Sequence, residues 1–233
     1  MIGIFDSGVG GIAAYRELRR LLPRADIIYL ADREHAPYGT KSEEELILLV
    51  SSVVKRLRQR GADRILIACC TASTVYPRLA ECDRAVCLPI IGCAVECFEG
   101  RVAGVIATDA TVRSHAFADQ VKQRVPTARV VEIAAQELVT LVERGARDGN
   151  LNRECADMLD DITERLRDEG IDSLFLGCTH FSHLSGELSQ RLPGARIIDT
   201  AGLGAARLAL SYLNSKDKKS RRDISGLGRT IYM

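Results

Sequence analysis

Apolar residues along this chain fall into two kinds of run. The short continuous ones are IGIF (2–5), DIIYLA (26–31), RILIAC (64–69), VAGVIA (102–107), RVVEIA (129–134), SLFLGC (173–178) and RIIDT (196–200). They lack the polar–apolar alternation of a strand with one wet face, so each predicts a strand covered on both faces, as in a parallel sheet. Between them lie amphipathic stretches such as EEELILLVSSVVKRLRQRG (43–61), with apolar positions at helical spacing and Gly61 suited to ending the helix. Strand and helix alternate, so the expected class is α/β with mainly parallel sheet.

The pattern also repeats. RGADRILIAC (60–69) aligns with EGIDSLFLGC (169–178), LPRADIIYLA (22–31) with VPTARVVEIA (125–134), and IGIFDSG (2–8) with AGVIATD (103–109). The spacings are 109 residues from Cys69 to Cys178, 103 from Pro23 to Pro126 and 101 from Gly3 to Gly104. Three matches in one order predict a duplicated α/β unit. Two similar α/β domains related by a pseudo-two-fold axis are expected, 1–94 plus 201–233 and 95–200, with a site in the cleft between them. Ligands of open parallel sheets bind beyond the carboxyl ends of the strands, and Cys69 and Cys178 stand at two such ends.

Composition narrows the partners. In 233 residues, 46% are hydrophobic and 27% charged, enough for a substantial core, and 32 Lys and Arg against 31 Asp and Glu give a formal charge of +1. So balanced a chain has no global pull toward nucleic acid or a membrane surface, and a small polar ligand is expected instead. No apolar run nears the roughly 18 residues of a membrane span, and MIGIFDSG has no signal-peptide pattern, so a cytoplasmic protein is expected. The stretch NSKDKKSRRD from Asn214 reads as a solvated basic tail.

Eight cysteines in such a chain are expected to be thiols rather than disulfides. Cys82, Cys87, Cys93, Cys97 and Cys155 read as small buried hydrophobes. A metal site on Cys82, Cys87, Cys93 and Cys97 lacks any C-x-x-C, and no metal is expected. Cys69 and Cys178 differ in their settings, CCTAST and GCTHFSH, which are rich in groups able to hydrogen-bond a thiolate or a polar ligand. Two thiols facing one cleft suit inversion of a stereocentre, with one as base and the other as acid, and Asp6 and His180 are candidates to share their protons. A rival reading takes Gly8, Gly10 and Ala13 as G-x-G-x-x-A with Asp32 as a ribose-binding acid, making the chain a dinucleotide binder. A ligand-binding protein without racemase activity is the other alternative.

GIFDSGVGG (3–11), ADREHAPYGTKS (31–42), ACCTAS (68–73), GVIATDAT (104–111) and LGCTHFSHL (176–184) together resemble the glutamate racemases of the aspartate/glutamate racemase superfamily. The resemblance covers nearly the whole chain. It implies cofactor-independent interconversion of L- and D-glutamate, supplying D-glutamate for peptidoglycan. It implies catalytic thiols at Cys69 and Cys178 with Asp6 and His180 as their helpers. Substrate contacts are implied at Ser7, Pro37, Tyr38, Gly39, Thr71, Thr111 and Thr179, and Glu143 supports the His180 side. Family members often pair, which makes a homodimer an option for this chain. Cys70 stands where the family has Asn, a weak hydrogen-bonding thiol in place of an amide, so a superfamily racemase acting on another amino acid such as aspartate is the near alternative.

Overall fold

The computed structural model describes residues 1–216 and 229–233, the side chains of 215 and 216 excepted. Most of the basic stretch read as a tail lies outside the described residues; Asn214, at its start, is exposed.

Nine strands among the described residues form two sheets. The first holds β1 (Ile2–Asp6), β2 (Ile27–Ala31), β3 (Arg64–Ile67), β4 (Cys87–Pro89) and β9 (Thr230–Tyr232) in the order β4-β3-β1-β2-β9. The second holds β5 (Val102–Ala107), β6 (Arg129–Ala134), β7 (Ser173–Gly177) and β8 (Arg196–Asp199) in the order β6-β5-β7-β8. Every pairing is parallel. Read from opposite ends, β4-β3-β1-β2 and β8-β7-β5-β6 are one topology used twice, as the repeat predicts. β9 is an added edge. The seven strands expected from the sequence all form within two residues of their expected ends, while β4 and β9 are additional.

Both faces of each sheet are covered, which accounts for the continuous apolar runs. Inward side chains Ile2, Ile4, Leu66, Ala103, Val105 and Phe175 share one core with the helices Ile12–Leu21, Ile90–Val95, Ala116–Arg124 and Thr200–Lys216. Their neighbours along the strands turn outward. Phe5, Ile65 and Ile67 meet Val50, Val53 and Leu57 of the helix Glu43–Gln59, and Leu174 and Leu176 join a core with Leu159 and Leu166 of the helix Arg153–Asp168. Each fully buried side chain of this kind stabilises the fold by roughly 1.5–3 kcal/mol.

Local signals fix where the helices start and stop. Ser42 Oγ accepts the Glu45 N–H at 3.2 Å while Glu45 Oε2 accepts the Ser42 N–H at 2.9 Å, a reciprocal cap worth roughly 1 kcal/mol. At the far end Gly61 takes φ +89°, a left-handed conformation that favours glycine. The two sheets thereby present the carboxyl ends of β1, β3, β5 and β7 to one cleft.

Candidate active site

Cys69 leaves β3 two residues past its end and serves as N-cap of the short helix Cys70–Thr74, its Sγ accepting the Ala72 N–H at 3.5 Å. Cys178 follows β7 at the same topological position. Both thiols line one cavity, enclosed from the first sheet's side by Ser7, Gly8, Cys70, Thr71 and the 36–39 loop, and from the second's by Thr108, Gln136, Val139, Glu143, Thr179 and His180. The cavity measures about 40 Å³. That is well below the roughly 300–1,000 Å³ of a typical ligand pocket.

The thiol environments are not identical. Ser7 Oγ lies 3.3 Å from Cys69 Sγ, whereas Cys178 Sγ lies 3.5 Å from Nδ1 of His180. The other ring nitrogen, Nε2, stands 3.3 Å from Glu143 Oε1 without an aligned hydrogen bond. Burial pushes the Cys69 thiol up to about 11, and the Asp6 carboxylate acts the same way against the opposing hydrogen bonds from Ser7 and Ala72. Burial also raises Cys178 well above its ordinary value. At neutral pH both are therefore held as thiols.

Asp6, fully buried, accepts the Gly8 N–H at Oδ2 (2.9 Å) and the Thr179 hydroxyl at Oδ1 (3.4 Å), so the end of β1 is tied to the residue beside Cys178. Three hydroxyls make a second bridge between the sheets: Thr71 Oγ1 lies 2.9 Å from Thr108 and 3.1 Å from Thr111, and Thr108 and Thr111 are 2.8 Å apart. Cys70 points its Sγ at Thr200 Oγ1, 3.5 Å away, and burial raises its thiol too. Asp32 accepts the Tyr38 hydroxyl at 2.6 Å and lies 2.9 Å from His35 Nδ1, which anchors the 36–39 loop.

Of the residues singled out from sequence, Ser7, Pro37, Tyr38, Gly39, Cys69, Cys70, Thr71, Glu143, Cys178, Thr179 and His180 line the cavity. Asp6 and Thr111 stand one layer behind it, in contact with residues that do. Ala36, Thr108, Gln136 and Val139 also line it and were not singled out, and Gly8 lines it though it was read only as part of a dinucleotide motif. The repeat contains the signal for one of them, since the 101-residue spacing that relates Gly3 to Gly104 carries Ser7 onto Thr108.

The glycine-rich turn has a reason other than phosphate binding. A Cβ on Gly10 would come 2.2 Å from Thr179 Oγ1, and one on Gly11 would come 2.6 Å from Asp6 Cβ. Asp32, the would-be ribose ligand, is committed to Tyr38 and His35. The dinucleotide reading thus loses both of its motifs. The four-cysteine reading fares no better, because among the described residues no three His, Cys, Asp or Glu gather as a metal site. All eight cysteines are free, and no helix among the described residues is long and apolar enough to cross a membrane.

The profile of the Asp/Glu/hydantoin racemases matches residues 2–208. A glutamate racemase of Deinococcus radiodurans is 38% identical over 221 residues, covering 91% of this chain and 74% of the relative. One from Gloeobacter violaceus is 34% identical over 227 residues, 95% and 84% of the two. Among solved structures, a glutamate racemase isoform of Bacillus anthracis superposes with a TM-score of 0.86 at 26% identity, over 100% of this chain and 87% of that one. The Francisella tularensis glutamate racemase, solved with D-glutamate, gives 0.85 at 28% identity, over 99% and 87%.

Proposed function

The chain belongs to the Asp/Glu/hydantoin racemase family, and from that premise we propose that it interconverts L- and D-glutamate by proton transfer between Cα and two thiols, Cys69 and Cys178. One observation carries the mechanism: these two cysteines follow equivalent strands, β3 and β7, and line one cavity from opposite sheets. Glutamate is the substrate named for the relatives that match most of the chain.

In this reading the thiolate of one cysteine takes the Cα proton, leaving its electron pair on the substrate as a planar carbanion, and the thiol of the other returns a proton to the opposite face. The reverse reaction exchanges the two roles. Because burial holds both groups as thiols, one must first lose a proton. His180 Nδ1 is placed to receive it from Cys178, and Glu143 stabilises the imidazolium that results. On the other side Ser7 hydrogen-bonds Cys69 Sγ, and Asp6 is the buried carboxylate assigned to that thiol. Thr71, Thr179 and the 37–39 loop hold the substrate, and Thr111 acts through Thr71. In this reading the cleft widens to admit substrate, because about 40 Å³ is well below the roughly 300–1,000 Å³ of a typical ligand pocket.

The same reading assigns 1–94 with 201–233 to one lobe and 95–200 to the other, supported by the confinement of one sheet to each. It places the enzyme in the cytoplasm as a source of D-glutamate for peptidoglycan. It also carries the expectation of a homodimer, which the mass of the protein in solution tests. The activity itself is tested by incubating each glutamate enantiomer with the protein in deuterated water. Deuterium appearing at Cα alongside loss of optical rotation supports the assignment, and its absence refutes it.

A further inference from the structure

No lysine or arginine lines the cavity, so away from His180 a dicarboxylic substrate meets only neutral donors there. The hydroxyls among them already have partners: Thr71 and Thr108 each other, Thr179 and Tyr38 the carboxylates of Asp6 and Asp32, and Ser7 the Cys69 sulfur. Gln136 is different. It is the one carboxamide on the cavity wall, and among the described residues its side chain makes no hydrogen bond, its Oε1 being buried without a partner. A buried amide oxygen in that condition costs roughly 1–3 kcal/mol, a cost that a bound ligand reaching it would relieve.

The helix Gln136–Glu143 places it further. Glu143, at one end, stands beside His180, which touches Cys178. Gln136, at the other end, is about 10 Å away along the axis at the usual 1.5 Å per residue. There it closes over Gly39 from the opposite sheet: a Cβ on residue 39 would come 2.0 Å from Gln136 Oε1 and 2.8 Å from Thr108 Cβ. One end of the helix thus serves the reacting carbon, and the other projects an uncommitted amide beyond it.

We propose that Gln136 is a specificity-determining residue whose side-chain NH₂ donates to the far carboxylate of the substrate. This rests on the racemase reading above. The carboxamide turns from Gly39 into the cleft as it widens, gaining the partner it lacks in the closed site. A neutral donor suits this task, because it matches a carboxylate without leaving an unpaired buried charge in the empty cavity.

Two variants test the assignment through calorimetric binding of D-glutamate and D-glutamine, with deuterium exchange at Cα as the activity readout. The isosteric Gln136→Glu opposes a carboxylate to the substrate's own, but it accepts a hydrogen bond from the amide of glutamine. The preference for glutamate over glutamine should therefore shift toward glutamine by about a hundredfold. It should shift back at pH 5, where the introduced carboxyl begins to protonate. Gln136→Leu should weaken D-glutamate about tenfold while kcat stays within a few-fold of the unsubstituted enzyme. An unchanged glutamate-to-glutamine ratio in Gln136→Glu, with exchange intact, overturns this assignment alone. Absence of exchange of either glutamate enantiomer by the unsubstituted protein overturns the racemase reading, and this assignment with it.

Discussion

Nδ1 of His180 lies 3.5 Å from the Sγ of Cys178 on one side of the ring, and Nε2 faces the half-exposed carboxylate of Glu143 at 3.3 Å on the other. The ring therefore bridges a buried thiol and a solvent-facing charge. Glu143→Gln keeps the shape and removes the charge that favours the imidazolium. It should lower kcat/KM about tenfold, equally in the two directions, because an equilibrium constant near one ties them together. Initial rates from each enantiomer decide it, and full activity in Glu143→Gln would remove Glu143 from the proposed proton transfer.

Gly10, in the turn after β1, packs against the segment that follows Cys178. Its missing side chain makes room for Thr179 and for Nδ1 of His180, which a Cβ would meet at 2.2 and 3.1 Å. Gly10→Ala should displace these two residues, cutting kcat by at least about tenfold while the circular dichroism spectrum is unchanged. Gly194→Ala, at an exposed turn away from the cavity where a Cβ meets nothing within 4 Å, is the control and should retain activity.

Burial of Cys69 links stability to pH. Its folded-state value of about 11 lies above the ordinary 9.0, so the folded state is penalised as the thiol ionises. That contribution is fully present below about pH 9 and is lost as pH rises through about 11. Two units correspond to on the order of 3 kcal/mol. Cys69→Ala should flatten the fall in unfolding free energy between pH 9 and 11 by that amount, measured by urea titration at each pH. Parallel curves for the two proteins would show that Cys69 ionises as freely folded as unfolded.

Thr71 joins two hydroxyls of the other sheet, and Thr71→Val removes both contacts while leaving Thr108 and Thr111 bonded to each other. Loss of the bridge should cost roughly 1–2 kcal/mol of stability and raise KM more than it lowers kcat. A Tm within 1 °C of the unsubstituted protein would indicate that the bridge is idle.

The sequence carries the sheets well because strands buried on both faces must be apolar throughout, as RILIAC and SLFLGC are. It misses β4 and β9 because three residues such as Cys87–Pro89 offer no periodicity to read. The candidate site divides along a similar line. Cys69 and Cys178 sit at strand ends within repeated motifs, with His180 two residues past the second, whereas Gln136 opens a helix with no chemical pattern around it. The bond from Thr179 to Asp6 spans 173 residues, so only the folded chain brings the two together. The turn 8–13 shows the converse, because close approach of Thr179 and Asp6 requires the same glycines that a phosphate would.

In the proposed mechanism Cys69 and Cys178 act from opposite faces of one substrate, while Cys70 lines the wall. Deuterium uptake at Cα, followed separately for L- and D-glutamate with Cys69→Ser, Cys178→Ser and Cys70→Ser, tests it most directly, with circular dichroism confirming that each variant is folded. A serine hydroxyl is far too weak an acid to replace a thiol near pH 7, so Cys69→Ser and Cys178→Ser should each lose racemisation by several orders of magnitude. Each should still exchange the Cα proton of one enantiomer, and the enantiomer should be opposite in the two, while Cys70→Ser continues to racemise with a changed KM. Normal racemisation by Cys178→Ser, or a Cys70→Ser as inactive as Cys69→Ser, would contradict the assignment.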